Sequence, residues 1–61
     1  MHTELIQTDH GEIRVRVEQS FYAVDENGHT IDGPFQSKED AVETGRRLNI
    51  LREKSEQGKN Q

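Results

Sequence analysis

Arg14 and Arg16 stand two residues apart in Ile13-Arg14-Val15-Arg16-Val17, a spacing that sets both guanidinium groups on one side of an extended chain. Such a pair grips phosphates or carboxylates, and a neighbouring aromatic adds a stacking platform. A second basic group, Arg46, Arg47 and Arg52, lies among Glu39, Glu43 and Glu53. There, pairing of Glu43 with Arg46 and Arg47 at helical spacing competes with any phosphate contact. His10 with Asp9, and His29 with Asp25, are metal-ligand types without a ligand spacing, so solvated turn histidines are expected instead. Nucleophilic catalysis needs a Ser or Cys beside an oriented base. The chain has no cysteine, Ser37 reads as a helix cap, Ser20 falls in a turn and Ser55 in the tail. The residues predict no enzyme, no metal and no cofactor.

The elements that must position these side chains are short. The chain has 61 residues, 28% of them hydrophobic and 33% charged, with a net charge of −4. A chain of this length buries only about 60% of its unfolded surface, so one domain with a thin core is expected. Such a core leaves little room for a ligand pocket of several hundred cubic ångströms. Without disulfides or a thiolate zinc site to supplement it, self-association as a homodimer is one expected form. No apolar run approaches the roughly 20 residues of a membrane span. The start, Met-His-Thr-Glu, lacks the layout of a secretory signal, which predicts a cytoplasmic protein. Residues 1–37 carry two arginines against seven acids, a poor attractor for phosphate.

Alternation predicts strands over Glu4–Thr8, Ile13–Val17, Phe21–Glu26 and His29–Asp32. Gly11 suits a tight turn, Asn27-Gly28 is a strong hairpin signal, and Gly33-Pro34 is expected to end the last strand. Two-residue loops at His10-Gly11, Gln19-Ser20 and Asn27-Gly28 align one apolar row, Ile6–Val15–Val24–Ile31, with Val17 and Tyr22 beside it. The first pairing is the least constrained, because a one-residue slip turns Leu5 inward instead of Ile6. Ser37 then caps a helix whose first turn carries Glu39 and Asp40, favourably placed on its dipole. Ala41, Val42, Gly45 and Leu48 share its inner face with Leu51 at the margin, and Phe35 fills the corner. The predicted fold is α+β: an antiparallel meander of three to four strands with one C-terminal helix on one face. Residues 1–54 form the domain and 55–61 a disordered tail.

That register leaves Glu12, Arg14, Arg16, Glu18, Phe21, Ala23, Asp25, Thr30 and Asp32 on the face away from the helix. Arg14 falls opposite Asp25, and Arg16 lies in the row of Ala23 and Asp32, as in a wet surface of charge pairs. Phe21 beside Ala23 is not explained by charge pairing. Phe21, Ala23, Ile50 and Leu51 are therefore the candidate protein-binding residues. Arg14, Arg16, Arg46 and Arg47 are the candidates for the alternative, nucleic-acid binding.

Gly33-Pro-Phe35-Gln-Ser37-Lys-Glu39-Asp-Ala41 resembles the Gly-x-Phe-x-Ser/Thr-x-Glu-x-Ala segment that joins the last strand to the helix in AP2-type domains and phage integrase arm-binding domains. It is also similar to small bacterial and phage sheet-plus-helix proteins. The resemblance implies a sheet packed on one helix, and in the AP2-type case a sheet that reads DNA through strand residues at Arg14 and Arg16. This chain differs from those families in having no tryptophan and acidic strands. The sequence thus predicts a small non-enzymatic interaction module, acting through a protein partner or a second copy, with nucleic-acid binding as the alternative.

Overall fold

The computed structural model describes residues 1–59 of the chain. Four strands form one antiparallel sheet in the order β1 (His2–Thr8), β2 (Gly11–Val17), β3 (Phe21–Val24) and β4 (Thr30–Phe35). One helix, α1 (Lys38–Lys59), packs on the sheet against β2, β3 and β4. The fold is therefore the expected α+β meander with a C-terminal helix. The helix continues through Lys59, past the boundary expected after Lys54, and residues 60–61 of the expected tail lie outside the described residues.

Local chemistry sets the ends of α1. The Asp40 N–H donates to Ser37 Oγ at 3.2 Å, the side-chain cap expected of that serine, with Glu39 and Asp40 in the first turn. The inner face of the helix meets β2. Ile13, Val15 and Ala41 form the buried cluster, and Ile6, Val17, Phe21, Phe35 and Val42 pack against it. The expected helix face is borne out at Ala41 and Gly45, both buried.

The registers differ from those expected, each for a reason that lies in a turn. Thr8 pairs with Gly11, so the first loop is Asp9-His10 and Ile6 pairs with Ile13 rather than Val15. That is a shift of two residues, which preserves the face, so Ile6 packs inward and Leu5 is left 54% exposed. The connection from β2 to β3 has three residues, Glu18-Gln19-Ser20, and Val15 pairs with Ala23. A shift of one exchanges the faces of β3. Phe21 and Ala23 thus move under the helix, Tyr22 moves to the open side, and Val24 pairs with Arg14 instead of Val15.

The last turn is also one residue longer than expected. The Asp25 N–H donates to His29 O, the Gly28 N–H donates to Asp25 O, and Gly28 takes a φ of +85°. Asp25 Oδ1 accepts the N–H groups of Asn27 and His29, so this carboxylate organises a turn and does not face Arg14. Irregular pairing of β3 with β4 follows, with Ala23 opposite Asp32 and Phe21 opposite Phe35. Ile31 falls between the paired positions and is 45% exposed rather than part of the core. β4 also runs through Gly33-Pro34 instead of stopping there, which an edge strand permits. Gly33 has a φ of +132°, and a Cβ on it would lie 3.1 Å from Phe21 O and 3.2 Å from Tyr22 Cα, so the position demands glycine.

Candidate interaction surface

With Ile13 and Val15 turned to the helix, the alternation of β2 sends Glu12, Arg14 and Arg16 to the uncovered face. Arg16 is the centre of that face. Its guanidinium carbon lies 4.8 Å from the centroid of the Tyr22 ring, its Nη2 donates to Thr30 Oγ1 at 2.8 Å, and its Nε contacts the Glu18 carboxylate. One arginine therefore ties β2 to β3 and β4 across the open side. Arg14 Nη2 stands 3.8 Å from Glu12 Oε2, and Leu5 lies opposite Arg14 on β1. On the open face, therefore, Arg14 and Arg16 of β2 lie between Leu5 on β1 and Tyr22 on β3, with Glu12 near Arg14 and Glu18 against Arg16.

The structure separates the four candidate nucleic-acid residues. Arg14 and Arg16 are on the open face, while Arg46 and Arg47 belong to the helix on the other side of the sheet. Arg46 makes two bonds to Asp9, Nε to Oδ1 at 2.8 Å and Nη2 to Oδ2 at 3.0 Å, and Arg47 pairs with Glu43 at 3.0 Å. Of the protein-binding candidates, Ala23 is 1% exposed and Phe21 packs against the core, because the longer β2–β3 connection reversed their side. Ile50 is half-buried on the helix, and Leu51 is 58% exposed. Tyr22 and Leu5 take the place of Phe21 and Ala23 on the open side. A signal for this was present in the residue types: tyrosine keeps a polar end that favours a wet face, and phenylalanine does not.

The first histidine pair has a structural use. Asn49 Nδ2 donates to His10 O at 2.9 Å, and His10 Nδ1 lies 3.4 Å from Glu53 Oε2. Together with the Arg46–Asp9 pair, these contacts place Arg46, Asn49 and Glu53 along one stripe of α1 that clasps the β1–β2 turn. The Arg46 guanidinium hydrogen-bonded to it lowers the Asp9 carboxyl from 3.8 to about 2. A carboxyl depressed on folding adds stability that is present above its unfolded value and lost as pH falls through its folded value. Wild type and Asp9→Asn are therefore expected to differ in thermal midpoint at pH 7, with Asn the less stable. The two curves should converge between pH 4 and pH 2, as thermal unfolding followed by circular dichroism will show.

Among the described residues, no group of three or more His, Cys, Asp or Glu side chains is placed to hold a metal ion. A cleft of about 200 Å³ opens between the helix and the β3–β4 end of the sheet, with Ile13, Val24, Ile31 and Leu48 in its lining. Ser37, the serine nearest the sheet-to-helix corner, has its Oγ occupied by the cap. Among the described residues, no helix is long and apolar enough to cross a membrane. No family model, no curated protein and no solved structure matches the chain.

Proposed function

We propose that the protein is a small non-enzymatic interaction module that binds a protein partner through the open face of its sheet. The observation that carries this reading is the Arg16–Tyr22 stack, with Arg14 and exposed Leu5 across β2 from it, on the face of the sheet that α1 does not cover. Tyrosine and arginine are the residue types that most often dominate binding energy at protein interfaces. The same face weighs against nucleic acid as the partner. Arg14 and Arg16 are each engaged by a carboxylate, from Glu12 and Glu18, so the face adds little attraction for phosphate. The alternative reading, nucleic-acid binding, keeps the Arg16–Tyr22 stack as its support, since an aromatic beside an arginine also serves base stacking.

Affinity capture with the Tyr22→Ala chain beside the wild type tests the proposal. A Tyr at the centre of such an interface is expected to cost about 2 kcal/mol or more when truncated, which is a loss of roughly thirtyfold in affinity. Capture that is equal for both chains, with both folded, removes the open face as the site.

A further inference from the structure

We infer that β1 is an association edge on which a second copy of this chain pairs antiparallel, β1 to β1, joining two four-stranded sheets into one. The inference goes beyond the open-face reading: it uses the outer backbone edge of β1 and shares with that reading only Leu5. β1 is the outermost strand, seven residues long, and pairs with β2 residue for residue without proline or bulge. Every second residue of such a strand turns its N–H and C=O away from its neighbour into solvent, where they offer a template for another extended chain. The helix packs mainly on β2, β3 and β4, and among the described residues no strand pairs with the outer side of β1.

The opposite edge is closed to the same use. β4 has two register irregularities against β3, Pro34 has no N–H, and the Gly33 N–H is held by Asp32 Oδ1 at 2.9 Å. Pairing two copies is therefore directed to β1, and a homologous end-to-end polymer through β4 is not. Charge supports a second copy rather than a basic or acidic peptide. Glu4 is the one acid on β1, and it is held by Lys38 Nζ at 2.9 Å and by His2 Nε2 at 2.9 Å. A twofold axis through Leu5 sets Leu5 against Leu5 of the second copy and Thr3 against Gln7, and keeps the two Glu4 side chains from facing each other. It also covers a leucine that is 54% exposed in one chain.

The absence of cysteine allows a clean test. Sedimentation of the full chain is expected to show a species of twice the 7.0 kDa chain mass, and Leu5→Lys is expected to weaken that association at least tenfold with an unchanged circular dichroism spectrum. Under mild oxidation Leu5→Cys should cross-link to a dimer, since directly opposed Cβ atoms lie about 5 Å apart, and Leu51→Cys should not. A monomer at every concentration overturns the pairing, as does a dimer that cross-links through Leu51→Cys but not Leu5→Cys. A monomer whose partner capture still depends on Tyr22 would overturn the edge and leave the open-face reading in place.

Discussion

Val15→Asp is expected to leave no cooperative unfolding transition. Val15 is the one fully buried large side chain, at 0% exposure, and sits between Ile13 and Ala41 in the centre of the cluster. A carboxylate there has no cation within the cluster to pair with, and an uncompensated buried charge costs about 3–5 kcal/mol or more. A domain of this length has a total stability of roughly 3–9 kcal/mol, taking about 0.05–0.15 kcal/mol per residue. The cost equals the whole stability over the lower part of that range and removes most of it over the rest. Circular dichroism and denaturant titration of the variant should show a chain without a folded baseline at pH 7. A native-like spectrum with a sharp transition would mean that Val15 does not face the helix and that the β2 register is wrong.

Gly45 gives the second large effect, with a sign that separates packing from propensity. Helix propensity alone predicts that replacing this glycine by alanine stabilises α1 by about 1 kcal/mol. The fold predicts the reverse. A Cβ on Gly45 would lie 2.6 Å from Ile13 Cγ2 and 3.2 Å from Ile13 Cδ1, and Ile13 is itself only 4% exposed. Overpacking of this kind costs about 1–3 kcal/mol for small additions, so Gly45→Ala should be net destabilising and Gly45→Val, which adds two further methyls and a stiff rotamer, more so, by about 3 kcal/mol. Chemical denaturation measures both. In an Ile13→Ala background, itself destabilised by the lost core side chain, Gly45→Ala should cost less than it does in the wild type, because the atoms in collision are removed. A Gly45→Ala protein more stable than wild type would contradict the close seat of the helix on β2.

Much of this fold was legible from residue types and spacing, and most of what was not lies in the turns. The strand of Ile13, Val15 and Val17, the Ser37 cap, the small-residue face of Ala41 and Gly45 and the corner Phe35 all follow from patterning and stand in the structure where expected. The open face did not follow, because a hairpin's loop length decides which side of the next strand is wet. Gln19-Ser20 read as a two-residue loop places Phe21 outside, and the three residues Glu18-Gln19-Ser20 place Tyr22 there. At the next turn the Asp25 carboxylate holds two backbone N–H groups, a local arrangement that extends the loop and leaves Ile31 outside the paired positions. The clasp of Arg46, Asn49 and Glu53 on the Asp9-His10 turn joins residues nearly forty positions apart. Nothing in the local pattern of either segment announces it, and helical pairing with Glu43 was the nearer competitor for Arg46.

Binding of a protein on the uncovered sheet face rests on Tyr22 and its arginine neighbours. Capture from extracts of cells that make the protein, with wild type and Tyr22→Ala side by side and with nuclease treatment of half of each sample, tests it most directly. A protein retained by the wild type, unaffected by nuclease and lost from Tyr22→Ala is expected. Retention that disappears on nuclease treatment, or that is equal for the two chains, would contradict it.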